Sequence, residues 1–424
     1  MKSGGFASIK SKEFFLKKRY KFFIVDDDRV TLNLMTRYLE KEGQTVVGIT
    51  SSSDALPEII AQRPDCVIVD LMMPEVDGLE MIMRIRGESR LNAAKIVVVT
   101  AKSYEFDRKV AVSSGADGYI VKPVNPKTFV AQLLRTIKDR IELAFWGVHG
   151  TLPVPSDNTT KYGGNTSCVS LEFSDDTMFI FDAGTGIKSL SDYLVAEDRH
   201  LIDAKIFISH PHWDHINALP FFAPLFRQGS EIEIYGPSHG DITMEKMISG
   251  QMDGIYFPIK IKEFSASISF RAIKEETLKI NGKTIKAMLL NHQGYCLGYR
   301  LEYKGRSVCY ITDNELYPNG SQFYNRHYLQ RLINFIKGTD ALIIDATYQD
   351  SEYEAKIGWG HSSVGQVAEL ADNAAVKTLY LFHHDLDQTD ADVDLKLKTV
   401  RALLNQKNSA TRCVAPREKE RFSI

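Results

Sequence analysis

Five short apolar runs punctuate the first third of the chain: FFIV (22–25), TVVGI (45–49), CVIVD (66–70), KIVVVT (95–100) and GYIV (118–121). Between them lie RVTLNLMTRYLEKE, SDALPEIIAQR, DGLEMIMRIRGES and EFDRKVAVSSG, each with apolar residues at helical spacing. Strand and amphipathic helix in regular alternation imply a parallel sheet covered on both faces. In such a doubly wound α/β unit, ligand chemistry collects at the carboxyl ends of the strands. The pattern predicts one domain over 21–142. Its last helix is expected from about Pro126 to Leu143, with Phe129, Leu133, Ile137 and Ile141 in a four-residue rhythm. No Gly/Ser- or Pro-rich linker follows, so a nearly continuous, rigid connection into AFWGVHGT is expected.

The remainder, 143–424, has a different texture. Short strands dominate: CVSLEF, MFIFDA, KIFISH, EIEIYG, TIKAMLLNH, LGYRLEY, SVCYITD, ALIIDATY and TLYLFHH, with few helices among them. Many end on a polar residue, namely Asp182, His210, His292, Asp313, Asp345 and His383. Polar side chains displayed repeatedly at strand ends, from segments far apart in sequence, point to one assembled site.

Two constellations carry chemistry. In the first, Asp26, Asp27 and Asp28 follow the first apolar run directly, Asp70 ends the third, Thr100 the fourth and Lys122 the fifth. Carboxylates at one sheet edge suit a hard cation such as Mg²⁺, and a lysine and a hydroxyl beside them suit a transferred phosphoryl group. The stretches VDDD, VIVDLMMPEVDG, VVVTA and GYIVKPV resemble the receiver domain of two-component response regulators, over residues 20 to 140. The resemblance implies Asp70 as phosphoacceptor, Asp26 and Asp27 with Asp70 as the Mg²⁺ site, Thr100 and Lys122 as phosphoryl contacts, and Tyr119 as the aromatic switch. It also implies a sensor histidine kinase as phosphodonor.

In the second, SHPHWDHIN places His210, His212, Asp214 and His215 within six positions, in a chain holding 11 histidines in 424 residues. Imidazole and carboxylate suit Zn, Fe or Mn. His210 and His212 can converge on one ion, with Asp214 and His215 facing another. Three ligands per ion leave room for water, as catalysis requires. His149, His200, His239 and His327 are expected to be ordinary core or surface residues.

The pattern H-x-H-x-D-H is similar to that of the metallo-β-lactamase fold hydrolases, an αββα sandwich, in the branch with ribonuclease Z-like and cyclic phosphodiesterase-like enzymes. FWGVHGTLPVP, KYGGNTSC, FDAGTGI, LNHQGY, YITDNE, DATY, GWGHSS and LFHHD extend that similarity over 145 to about 390. It implies His210, His212 and His292 on one metal and Asp214, His215 and His383 on the other, with Asp313 bridging. It also implies Asp214 and His361 as catalytic residues, His361 as general acid.

The combination implies a response regulator with an enzymatic output, a di-metal phosphodiesterase controlled by phosphorylation of Asp70. A cyclic nucleotide or other small phosphodiester is the expected substrate, since the insertion at 238–280 is short and mixed in charge and reads as a lid. Alternatives are a metal-dependent RNase, a lactonase- or thioesterase-type hydrolase, and a non-catalytic metal-site sensor. Control through homodimerisation is a second route beside direct transmission. No helix-turn-helix is evident, and a formal net charge of −2 argues against a general grip on nucleic acid or anionic membrane. No run of 18 apolar residues appears. Residues 1–20 read as a basic leader without a signal-peptide core. Five scattered cysteines lacking C-x-x-C spacing suggest a reducing, cytoplasmic setting.

Overall fold

The structure, a computed structural model, describes residues 19–197, 199, 201–255 and 257–424. Almost all of the basic leader, and His200, lie outside the described residues. The chain divides into two compact units, the first ending at Arg140 but also taking in Phe173–Asp176.

In the first unit, β1 (Lys21–Val25), β2 (Thr45–Ile49), β3 (Cys66–Val69), β4 (Lys95–Thr100) and β5 (Gly118–Val121) form one sheet in the order β2-β1-β3-β4-β5. Every pairing is parallel. The apolar runs are continuous rather than alternating because both faces are covered. Phe23, Val25, Val67, Val69, Ile96 and Val98 pack against the helices Ala55–Gln62 and Gly78–Gly87. Phe22, Ile24, Ile68, Val97 and Val99 pack against Arg29–Lys41 and Phe129–Lys138 on the other face.

The last helix is shorter than its rhythm predicts. It stops at Lys138, where Asp139 turns left-handed at φ 51° and its N–H returns to the Arg135 carbonyl at 3.0 Å. Glu142–Gly147 is a strand, β6, and not helix. The expected continuous helix into AFWGVHGT is therefore absent. The cause is non-local: Ile141 exchanges backbone hydrogen bonds with Ile424, and β6 pairs antiparallel with both Cys168–Glu172 and the chain's last strand. Ladder partners from far along the chain override a local helical period.

The second unit is two mixed seven-stranded sheets. β6, β7 (Cys168–Glu172), β8 (Met178–Phe181), β9 (Asp203–Phe207), β10 (Glu231–Gly236) and β11 (Ser267–Ala272) build the first. β12 (Thr277–Ile280), β13 (Lys283–Leu289), β14 (Leu297–Tyr303), β15 (Arg306–Ile311), β16 (Ala341–Asp345), β17 (Thr378–Phe382) and β18 (Arg412–Val414) follow in order across the second. The final strand, β19 (Arg421–Ser423), returns to the first sheet beside β6.

Large aromatics fill the space between the sheets. Phe145 meets Tyr380 and Phe382, and Phe181 meets Tyr299 and Tyr310, at centroid distances of 5.2 to 6.2 Å. Each fully buried ring of this size contributes roughly 2–3 kcal/mol of transfer free energy. Helices cover the outer faces, Gly186–Ala196 on the first sheet and Arg326–Ile336, Val364–Asn373 and Asp390–Gln406 on the second. The expected lid is instead largely part of this framework. Met244, Ile248 and Met252 are buried in the first sheet's core, and β11 extends that sheet beside β10.

No helix among the described residues is long and apolar enough to cross a membrane.

Candidate active site

At the carboxyl edge of the first unit's sheet, Asp26, Asp27 and Asp70 bring carboxylate oxygens within 4.8 Å of one another. Asp26 and Asp70 are buried, and Asp27 is exposed. Lys122 Nζ bridges the buried pair, 2.8 Å from Asp26 Oδ2 and 2.6 Å from Asp70 Oδ2. Burial acts against its charge, but the hydrogen bonds to both aspartates push the ammonium's pKa up. Burial raises the Asp26 carboxyl in turn. Asp28, the third of the run, caps the next helix by accepting from the N–H groups of Val30 and Thr31. Gly78 opens the helix after Asp70, and a Cβ there would lie 2.1 Å from the Asp70 carbonyl oxygen. Thr100 is buried at the end of β4, and Tyr119 is buried with its hydroxyl donating to the Lys102 carbonyl at 3.0 Å.

The second unit gathers its polar strand ends into one cluster. Donor atoms of His210, His212, His292 and Asp313 lie within 4.8 Å of one another, and so do those of Asp214, His215 and His383. Asp182, Asp313 and His383 all carry positive φ, at 58°, 45° and 58°. Strained backbone at three strand ends facing one centre marks a site whose geometry is imposed by its surroundings.

Hydrogen bonds on the far sides of the rings decide which nitrogens face the centre. Nδ1 of His215 lies 2.7 Å from Asp182 Oδ2, Nδ1 of His210 3.0 Å from Ser209 Oγ, and Nδ1 of His292 3.0 Å from the Gly360 carbonyl. His383 Nδ1 faces Thr347 Oγ1 at 3.3 Å. With Nδ1–H donating outward, four rings present the Nε2 lone pair inward. His212 is reversed, its Nδ1 lying 2.8 Å from His210 Nε2 and 3.3 Å from His292 Nε2.

Asp313 stands between the two groups. Its Oδ1 is 3.1 Å from His383 Nε2 and 3.3 Å from His215 Nε2, while Oδ2 is 3.5 Å from His210 Nε2 and 3.7 Å from His292 Nε2. Burial acts against its charge, yet the surrounding imidazoles of His383, His215 and His210 hold the carboxyl well below the usual range. Asp214 Oδ2 sits 3.1 Å from His215 Nε2 and accepts from the Thr151 N–H at 2.8 Å. Inward lone pairs, two ionised carboxylates and burial of every donor residue except the exposed His212 and the half-buried His292 suit a pair of borderline divalent cations. The residues present therefore fit two ions, with Asp313 placed to touch both.

His361 lies beside the second group, its ring stacked on His383 at 4.9 Å. Its Nδ1 is 2.9 Å from Asp345 Oδ2. Burial acts against a charge on this ring, but Asp345 outweighs it and pushes the imidazole up to about 9.

Ser209, Thr347 and Glu315 have no individual role legible in the sequence. Asp182 and Asp345 were visible as strand ends, and that was the available signal. Of the remaining histidines, His149 is core, its ring 5.6 Å from that of His384, and burial pushes its pKa down to about 4. His239 and His327 are exposed.

A family model for the response regulator receiver domain matches residues 22–134, and one for the beta-lactamase superfamily domain matches 177–384. The DNA-binding response regulator MtrA of Mycolicibacterium smegmatis is 33% identical over 159 residues, covering 37% of this chain and 68% of its own. The chain is a response regulator with a metallo-β-lactamase-fold domain. The receiver's five-stranded parallel sheet and the two-sheet sandwich after it are the folds of those two families. Among solved structures, unliganded yeast PDE1 aligns with 68% of this chain and all of its own, at 14% identity and a TM-score of 0.51. The metallo-β-lactamase fold protein YhfI of Bacillus subtilis aligns with 68% of this chain and all of its own, at 19% identity and a TM-score of 0.49.

Proposed function

We propose that the metallo-β-lactamase-fold domain is a di-metal phosphodiesterase acting on a small phosphodiester, under the control of phosphorylation at Asp70. The observation that carries the reading is the donor set itself. Two groups of three donors share one carboxylate, and an imidazole held by Asp345 stands beside them. His210, His212 and His292 would hold one ion, Asp214, His215 and His383 the other, and Asp313 would touch both. Zn, Mn or Fe fits this set. Such a pair, when bound, supplies Lewis acidity toward a phosphoryl oxygen and a nucleophile at neutral pH.

The chain's own contribution is orientation and a proton. Asp182 fixes His215 through Nδ1 and so aims Nε2 inward. Asp345 does the same for His361, leaving Nε2–H free to face the departing oxygen. An imidazole favoured in its protonated form by a buried carboxylate acts as general acid, delivering that proton to the leaving alkoxide. Asp345 then stabilises the ring until it is reprotonated from water.

In the receiver, Asp70 would take the phosphoryl group from a histidine kinase, with Mg²⁺ at Asp26, Asp27 and Asp70. Lys122, already on Asp70 Oδ2, is placed to pair with the added charge. Thr100 and Tyr119 are the proposed switch pair.

Leaving-group dependence tests the acid. His361→Ala is expected to slow esters of poor leaving groups, such as 3′,5′-cyclic nucleotides, by about 100-fold, and p-nitrophenyl esters far less. Equal losses on both classes would remove His361 from that role. Turnover of a lactone but of no phosphodiester would overturn the substrate class.

A further inference from the structure

Beside His361 the chain makes a glycine-flanked turn. Residues 358–360 read Gly-Trp-Gly, and both glycines hold a φ of about +90° (90° and 89°), a region poorly open to residues with a Cβ. Their N–H groups donate to the two oxygens of a single carboxylate, Gly358 to Glu315 Oε1 and Gly360 to Glu315 Oε2, each at 2.8 Å. Glu315 is completely buried and also accepts from the Tyr353 hydroxyl at 2.8 Å. A buried carboxylate is costly unless its lone pairs are filled. Here they are filled largely by one three-residue turn, so the turn is firmly held.

What this turn presents is Trp359, 61% exposed. An indole so exposed, carried on a turn whose backbone is held, contributes little to packing. Its surroundings tie it to the site: the Gly360 carbonyl orients His292, and His361 follows directly. Lys356 Nζ lies 5.9 Å from the Trp359 ring and 4.4 Å from that of Tyr348, whose edge meets His361 at 6.0 Å. A second indole, Trp213, is 77% exposed although it stands between His212 and Asp214 in sequence.

We propose that Trp359 is a stacking platform for the planar base of a nucleotide-type phosphodiester, with Trp213 as a second aromatic wall. The inference rests on the phosphodiesterase reading and narrows its substrate class to diesters that carry a nucleobase. Every base offers a π-face to an indole, so the platform selects for a base without selecting which one.

Thymidine 5′-(p-nitrophenyl phosphate) and methyl p-nitrophenyl phosphate share a leaving group and differ by the nucleoside. With the full chain loaded with Mn²⁺ or Zn²⁺, Trp359→Ala is expected to raise KM for the nucleoside ester roughly tenfold more than for the methyl ester. Trp359→Phe, which keeps an aromatic face, is expected to recover most of that difference. A second readout is independent of turnover. The chain has three tryptophans, and Trp146 is buried with its Nε1 donating to Ser170 Oγ at 2.8 Å. Cyclic AMP should therefore quench fluorescence from the exposed indoles where dimethyl phosphate does not, and the quench should weaken in Trp359→Ala. Parallel KM changes on both esters, with the quench intact in Trp359→Ala and Trp213→Ala alike, would overturn the platform and leave the phosphodiesterase reading standing. A quench that depends on Trp359 without hydrolysis of either ester would keep the platform and overturn phosphodiester hydrolysis. Neither hydrolysis nor a quench would overturn both.

Discussion

Asp182 shows how much of the candidate metal site is decided outside its donor set. Its Oδ1 accepts from the Ser209 N–H at 2.7 Å, and its Oδ2 accepts from the Ser209 and Tyr310 hydroxyls at 2.9 and 2.8 Å as well as facing His215 Nδ1. One wholly buried carboxylate thereby fixes a ring together with both the backbone N–H and the hydroxyl of Ser209, the residue beside His210. Asp182→Asn keeps the shape but cannot accept at both oxygens. It is expected to lower metal affinity by roughly 10- to 100-fold, measured by competition with a chromogenic chelator, with the far-ultraviolet circular dichroism unchanged. An unaltered affinity would mean that His215 is oriented by packing alone. At this scale the sequence is informative in proportion to density. His210 to His215 stand out because four donor residues crowd six positions. Ser209, Thr347 and the Gly360 carbonyl do not, because a hydroxyl or a backbone oxygen leaves no distinctive residue type behind.

Among the elements, the loop after β6 is where backbone approach matters most. Gly150 passes so near His383 that an added Cβ would lie 2.0 Å from its Cε1, and the next N–H, of Thr151, donates to Asp214. Gly150→Ala must therefore displace His383. The expected result is loss of one bound metal of the two, read by metal analysis, with thermal unfolding shifted by only a few degrees; retention of both metals would contradict the placement. The elements themselves were unevenly legible. Each strand that the apolar runs picked out is present, because most of those runs are buried in the sheets, the edge strand β2 being an exception. The strands that escaped notice, β11, β12, β18 and β19, read SISFRA, TLKI, RCV and RFS, and lack such runs. They owe their conformation to a neighbouring strand's free edge. β6 misled for the converse reason, since Ile141 continues the apolar spacing of the preceding helix while residue 424 claims its backbone. The Glu315 clamp was invisible because its partners lie 43 and 45 residues away.

For the whole molecule, the architecture pairs a receiver domain with a metallo-β-lactamase-fold domain whose clustered donors fit divalent metals. If the two are coupled, the receiver's state must change the hydrolase's rate by a free energy that phosphorylation can supply, typically a 5- to 150-fold effect. The ordering of the two halves was readable from periodicity, because a parallel sheet and a pair of facing mixed sheets leave different strand spacing. The route between them was not, since the expected continuous helix ends at Lys138. The most direct measurement is turnover of a phosphodiester panel (bis-p-nitrophenyl phosphate, 3′,5′- and 2′,3′-cyclic nucleotides) by the full chain loaded with Mn²⁺ or Zn²⁺, with and without beryllofluoride and Mg²⁺. The expected result is turnover that is abolished in Asp214→Ala, and that beryllofluoride changes at least about fivefold in the wild type but not in Asp70→Asn. Absence of turnover across the panel with both metals bound, or a rate indifferent to beryllofluoride, would contradict it.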